Sequence, residues 1–256
     1  SISVGATSEI ANNFHAGIWL GSGIRSASIT ERFINFLPVG LDAYEVIGNP
    51  ELNHEINRQV DVILQLKKEK LNAYVNLFAS SVENFISSVV LPGVKPVVST
   101  SPGVRQFINI PEARLYGFEF SWLQKITHYL KNNLSTTYTY GQDMKLNQPL
   151  PEISPLEFRN RLDQMLVHDK LAMYANMRYV STQDRVSTVF NERRTGDFTV
   201  FDLGIKYFPS KKSQVAVDVT NVFNVAYREH LSRYITFTKP LNAPGRNFSL
   251  VYTYQF

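Results

Sequence analysis

The sequence predicts an all-β protein, an antiparallel transmembrane β-barrel, and three observations carry that expectation. Apolar and polar residues alternate with a period of two in segment after segment. Aromatic residues stand at 12% and charged ones at only 19%, a balance that suits pleated, half-buried strands. The connections between alternating segments are short and polar, then long and Pro/Gly-bearing, in strict rotation.

The first alternating segment is "FHAGIWLGSGI", with Phe14, Ala16, Ile18 and Leu20 on one face and His15, Gly17, Gly21 and Gly23 on the other. "INRQVDVILQL" sets Val60, Val62, Leu64 and Leu66 against Asn57, Gln59, Asp61 and Gln65, and "LNAYVNLFA" sets Leu71, Ala73, Val75 and Leu77 against Asn72, Tyr74 and Asn76. "LYGFEFSW" and "LSTTYTYG" continue the pattern, as do "LAMYANMRY", "VFDLGIKYF", "SQVAVDVTNVF" and the terminal "GRNFSLVYTYQF". "EFRNRLDQML" is the weakest, because Asn160 and Gln164 share a face with Leu162 and Leu166. This makes about ten strands and no amphipathic helix of useful length. Tight turns fall near 66–70, 125–131, 167–170 and 209–213, and long loops near 26–54, 91–106, 143–157, 184–197 and 229–244. A meander with all its tight turns at one end and all its long loops at the other gives that rotation.

A soluble sandwich or barrel also alternates, its apolar face being the core. The membrane barrel inverts this, with lipid on the apolar face and water on the polar one. The polar face here carries Asp61, Glu119, Arg178, Asp202 and Lys206, while Tyr and Trp of the other face sit near strand ends. Both features favour the membrane barrel, because amphipathic rings prefer the bilayer interface.

Composition excludes several classes. With no cysteine there is neither a disulfide framework nor a thiolate metal site. The net charge of +4 is spread over turns such as "LKKEK" and "PSKK" among 22 acidic residues, a solvated mixed surface and no nucleic-acid stripe. No window reaches the roughly 18–20 apolar residues of a spanning helix. No basic-then-apolar leader opens the sequence, so any targeting segment is expected to be removed or to lie elsewhere. The five histidines, His15, His54, His128, His168 and His230, are scattered, and no H-E-x-x-H or G-x-S-x-G is present, so an enzyme is not expected. No cofactor or bound metal is expected either.

Four stretches in order resemble the C-terminal part of TonB-dependent outer-membrane receptors. "GIRSASITERF" (Gly23–Phe33) with "GNPELNHE" (Gly48–Glu55) is similar to the paired "FRAP" and "NPNL" boxes. "ARLYGFEFSW" (Ala113–Trp122) resembles the family's A-x-x-x-G-x-E strand, "DVTNVFNVAYREHLSR" (Asp218–Arg233) its "ENLFDKxY" element, and "APGRNFSLVYTYQF" (Ala243–Phe256) its terminal "PGRxFxLxxxYxF". The resemblance implies about the last ten strands of a plugged barrel of about 22. The plug and N-terminal strands would lie outside this chain, and an open sheet in lipid needs another segment at its edges. It further implies a site in the outer membrane, import of a scarce nutrient such as a ferric siderophore, and energy coupling to the TonB complex through the plug. The implied partners are that N-terminal portion, lipopolysaccharide and lipid, the barrel-assembly machinery and a small-molecule metal chelate. A passive pore, or a structural segment of a split assembly, is the alternative.

In such receptors ligand is held by plug, lumen wall and external loops. The corresponding candidates are Arg25, Arg32 and Tyr44 at the first long loop, Arg105 at the second, and Arg159 and Arg161 near the third. Arg193 and Arg194 stand in the fourth, and Arg228, His230, Arg233 and Tyr234 in the fifth. Arginine forks and phenols suit anionic chelates, and the same arginines equally suit lipopolysaccharide phosphates or plug carboxylates. Glu31, Asn49 and Pro50 read as box residues that hold geometry, Arg25 and Glu31 as a pair ordering the first loop. Haem is disfavoured, because no histidine lies between the boxes, and a bare soft metal is disfavoured by only 4 Met. Phe248, Tyr252, Tyr254 and the terminal Phe256 resemble the signal read by the assembly machinery.

Overall fold

The structure, a computed structural model, describes residues 1–35, 43–167, 170–232 and 241–256. Its elements are β1 (Ile2–Ala11), β2 (Phe14–Arg25), a one-turn helix α1 (Ile29–Phe33), β3 (Glu45–Ile47), β4 (Glu55–Lys68), β5 (Leu71–Val90) and β6 (Val104–Lys125). There follow β7 (Leu130–Asp143), β8 (Gln148–Pro149), β9 (Glu157–Val167), β10 (Leu171–Val180), β11 (Phe198–Ser210), β12 (Ser213–Thr220) and β13 (Asn247–Tyr254). Setting aside the short β3 and β8, the strands pair antiparallel with their sequence neighbours from β1 to β13, while β3 adds parallel to β6 and β8 to β7.

Eleven strands form this path, one more than the ten expected. The addition is β1, where Ala6 and Ser8 dilute the face carrying Ile2, Val4 and Ile10. The expected turn at 125–131 narrows, because β6 runs on to Lys125 and β7 starts at Leu130. β5 and β6 also run well past their alternating cores, to Val90 and from Val104. The tight turn near 167–170 and two long loops lie partly outside the described residues, at 168–169, 36–42 and 233–240.

Register turns the alternation of single strands into two continuous faces. Leu20, Val60, Ala79, Tyr116 and Tyr140 are successive cross-strand partners, and so form one apolar row. Lys131, Asp163, Tyr174, Gly204, Asp218 and Ser249 form a row on the polar face. On the polar face, side chains bond across strands: the Tyr174 hydroxyl donates to Asp218 at 2.7 Å, and the Asn176 amide donates to Asp202 at 2.9 Å. Arg161 lies 3.9 Å from the Tyr174 ring centroid and donates to Asp163 at 2.8 Å. Arg161, Asp163, Asp202 and Asp218 therefore have partners within the wall.

Two apolar clusters lie at the long-loop end. Val82, Ile110, Ala113 and Leu150 pack with Ile153, drawing the loop after β7 over the polar side of β5–β7. Val180, Phe198 and Val200 pack with Val225 and Tyr227, drawing in the loop after β12. The two outer strands, β1 and β13, have no neighbour on their far sides among the described residues, and both are exposed throughout.

Gly117, the glycine of the A-x-x-x-G-x-E stretch, has a packing reason. A Cβ there would stand 2.8 Å from the Phe78 ring and 3.0 Å from the Tyr138 carbonyl carbon. Gly117→Val is expected to destabilise the β5–β6–β7 unit by about 1–3 kcal/mol. The measurement is heat-modifiable gel mobility of the assembled protein, with a lower transition temperature as the outcome.

Candidate functional site

The long-loop end gathers most of the chosen residues, and the two boxes of the first loop show how. Ser28 caps α1 with a reciprocal capping box: the Glu31 N–H donates to Ser28 Oγ at 3.2 Å, and the Ser28 N–H donates to Glu31 at 2.6 Å. Arg25 donates to Glu31 at 3.0 Å and to Glu55 at 2.5 Å, tying the helix to the ends of β2 and β4. Arg32 donates to the Pro50 and Leu52 carbonyls at 2.6 Å each. The Asn49 amide donates to the Phe107 carbonyl at 3.1 Å, and its N–H donates to the Glu31 carbonyl at 2.9 Å. Gly48 is required by this closeness, since a Cβ would meet the Arg32 carbonyl at 2.5 Å. The two boxes, about twenty residues apart in sequence, are thus one contact.

Tyr44 and Arg105 are both buried, at 4% and 6% exposure, so neither faces an open space. The Arg105 guanidinium lies 4.1 Å from the Tyr44 ring centroid and 3.8 Å from that of Phe190, and it donates to the Phe190 carbonyl at 2.6 Å. Tyr44 also bonds Asn191, so the first, second and fourth loops meet here. Beside them the buried Glu45 accepts the Val97 and Val98 N–H groups at 3.0 and 2.6 Å. His230 is likewise enclosed, with Thr195 Oγ1 at 3.0 Å from one ring nitrogen and Glu192 at 3.1 Å from the other.

Arg159 and Arg161 stand on the polar wall, paired with Glu157 and Asp163. The structure adds Arg178, which sequence reasoning placed on the polar face without a role. It donates to Glu157 at 2.7 Å and to Glu229 at 2.9 Å, clamping the last long loop to β9 and β10. No local signal marks that clamp, because Glu229 lies 51 residues from Arg178. The last loop is also welded to the terminal motif. Asn221 donates to the Val225 carbonyl at 2.8 Å and the Pro244 carbonyl at 3.3 Å, and Asn224 accepts the Arg246 N–H at 2.9 Å.

Arg194 and Arg228 line a recess of about 310 Å3 together with Thr195, Asp197, Phe198 and Tyr227. Burial, reinforced by the nearby Arg193, pulls the Arg228 guanidinium below its ordinary pKa. Arg194 and Arg228 thus share this recess with the carboxylate of Asp197, with Arg193 nearby. Arg233 and Tyr234 lie outside the described residues. No group of three or more His, Cys, Asp or Glu suited to a metal ion occurs among the described residues.

Burial opposes the charge on Glu31, but the Ser28 N–H and the Arg25 guanidinium outweigh it and hold its carboxyl below the usual range. A lowered folded-state pKa means the stabilisation is present above the ordinary carboxylate range and is lost as pH falls through and below it. Glu31→Ala is expected to weaken the box by about 1 kcal/mol at neutral pH and to raise protease cleavage of the first loop with the barrel still assembled. Limited proteolysis read by mass spectrometry checks this, and the gap from the unsubstituted protein should shrink at acid pH.

The TonB-dependent receptor-like β-barrel family matches residues 11–224. Among solved structures, the copper transporter OprC is similar over 99% of this chain and 38% of its own, with 22% identity and a TM-score of 0.83. A variant of the ferric enterobactin receptor PfeA from Pseudomonas aeruginosa covers 99% of this chain and 40% of its own, with 18% identity and a TM-score of 0.74. The siderophore receptor PirA from Acinetobacter baumannii gives the same coverages, with 18% identity and a TM-score of 0.73. No curated protein sequence matches. The chain thus spans about two fifths of the length of the receptors whose fold it shares. Members of the matching family are outer-membrane transport proteins and not enzymes, so the apolar face of this sheet is its lipid face and the polar one lines the lumen. The chain belongs to the TonB-dependent receptor β-barrel family.

Proposed function

We propose that the chain forms the C-terminal wall and external loops of a plugged import receptor, and that the cargo is an anionic metal chelate captured at the long-loop mouth. The observation that carries this reading is the cationic rim, where Arg194 and Arg228 share a recess with Tyr227 and Arg193 stands close by. A ferric siderophore presents negative oxygens that guanidinium and phenol groups bind by charge-assisted hydrogen bonds. The neighbours whose names specify enterobactin or a siderophore agree with that class. A bare soft metal fits this chain less well. Of the four methionines, Met173 and Met177 share the face of Ala175 and Leu203, the lipid face, and Met144 and Met165 stand apart.

The remaining strands and the plug complete the reading. Among the described residues, β1 and β13 each leave a row of backbone N–H and C=O groups unpaired, and lipid does not satisfy them. A further set of strands between those edges closes the barrel, and a plug within it couples release to the TonB complex. Phe256, Tyr254 and Tyr252 serve the assembly machinery in this scheme, and Arg25, Arg32, Tyr44, Arg105 and His230 serve the rigidity of the mouth.

The test is ferric tricatecholate binding to the full receptor by intrinsic fluorescence quenching. The double substitution Arg194→Ala with Arg228→Ala is expected to weaken binding at least about tenfold, as the loss of two charge-assisted bonds implies, with unchanged heat-modifiability. Unaltered affinity removes the rim from the site, and steady ion conductance without chelate uptake supports the passive pore instead. Deletion of Phe256 is expected to cut the amount of assembled barrel severalfold while leaving the affinity of what assembles unchanged, measured by outer-membrane abundance and the same quenching assay.

A further inference from the structure

The lumen face carries another recess, of about 470 Å3, at its tight-turn end, opposite the mouth. Lys131, Arg161, Asp163, Tyr174 and Lys206 line it from β7, β9, β10 and β11, and His128 of the β6–β7 turn completes its rim. Register puts the strand residues on one face. Lys131, Asp163, Tyr174 and Gly204 are successive cross-strand partners, Arg161 lies two residues before Asp163, and Lys206 lies two after Gly204. Lys206 is flanked by alanines, Ala172 on β10 and Ala216 on β12, which leave room beside its chain.

Three cationic side chains meet one carboxylate in this lining, and the carboxylate is already engaged. Asp163 accepts from Arg161 Nε at 3.0 Å and from Nη2 at 2.8 Å. The same guanidinium lies 3.9 Å from the Tyr174 ring centroid, so it is held on two sides while its Nη1 edge stays unspent. Asp218, the next carboxylate along, accepts the Tyr174 hydroxyl at 2.7 Å. Lys131 faces Asp163 across the β7–β9 pair, yet among the described residues neither Lys131 nor Lys206 forms an ion pair.

The donors left over come from three different strands. Lys131 and Lys206 stand three strand spacings apart, roughly 14 Å, a span that two long side chains bridge through an anion held between them. A flat carboxylate offers two oxygens in one plane, whereas a tetrahedral oxyanion offers oxygens in several directions, which suits donors that converge from several sides. We propose that this recess binds a small oxyanion of the phosphate class, as the free ion or as a soluble monoester. Lys131 and Lys206 supply the ammonium groups, the open edge of Arg161 donates between them, and His128 adds a ring N–H from the turn. The site rests on the lumen-facing assignment of the polar face and is independent of the cargo read at the mouth.

The test uses the full receptor in detergent, with binding followed by isothermal titration calorimetry. The probes are inorganic phosphate, glycerol 3-phosphate and, as a phosphate carrying acyl chains, phosphatidylglycerol in mixed micelles. Saturable binding of inorganic phosphate or of glycerol 3-phosphate is expected. The pair Lys131→Gln and Lys206→Gln should weaken it at least about tenfold. The pair Lys211→Gln and Lys212→Gln removes the same charge from the exposed β11–β12 turn and should leave affinity unchanged. Ala172→Phe, which fills the recess and leaves every charge in place, should lower affinity severalfold. Absence of saturable binding overturns the proposal, because another segment of the receptor then holds these cations. Equal weakening by the two lysine pairs overturns it as a general field effect, and binding of phosphatidylglycerol alone overturns it in favour of a headgroup. Should the first lysine pair fail to assemble, the Ala172→Phe result decides alone. Ferric tricatecholate quenching at the mouth should be the same in every variant, so failure here is separable from failure of the import reading.

Discussion

In hydrocarbon, a backbone N–H or C=O without a partner costs several kcal/mol, and every other feature of this wall follows from that constraint. Strands must pair along their whole membrane length, so their register is fixed by hydrogen bonds and their side chains fall alternately toward lipid and toward water. The apolar row from Leu20 to Tyr140 and the polar row from Lys131 to Ser249 are two readings of that one constraint. It also explains why acids and bases are tolerated deep in the wall. Asp163 is held by Arg161 of its own strand, and Asp202 and Asp218 hold cross-strand partners in Asn176 and Tyr174.

Beyond the membrane that discipline lapses, and different forces hold the chain. There the loops fold over the lumen side, driven by the apolar clusters around Leu150 and around Phe198. Cations then pin the loops in place: the buried Arg105 lies between two aromatic rings, and the partly buried Arg178 of β10 lies between carboxylates of β9 and the last loop. The settings differ at the two depths: on the wall Arg161 sits beside Asp163, whereas at the rim Arg194 and Arg228 share a recess with Asp197.

What the sequence revealed divides along the same line. Strands such as β6 and β11 were legible because lipid on one side and water on the other enforce a strict period of two. β1 was missed where Ala6 and Ser8 soften the apolar face, although its register with β2 runs from Ile2 to Ala11. The outer halves of β5 and β6 were also missed, since no lipid faces them and their alternation is irregular around Asn84 and Pro111. The box residues were recognised by resemblance, and their contacts give a physical reason for the spacing, with Gly48 lying against Arg32. The partnerships of Arg178 and Arg105 were beyond reach. Their partners lie 51 and 85 residues away, at distances set by strand tilt and loop path and by no local pattern.

Among the described residues, the long connections lie at one end of the sheet and the tight turns at the other. That lopsidedness bears on how the wall enters a membrane and whether it ever leaves. A preformed sheet inserted from the tight-turn side must drag every polar loop across the hydrocarbon, and removing it reverses the same passage. The barrier in both directions is then set by the hydration of the loops, while the equilibrium is set by the strands. Such a wall persists because its exit is slow, so its lifetime in the membrane can be altered by lengthening or charging a loop that touches no strand.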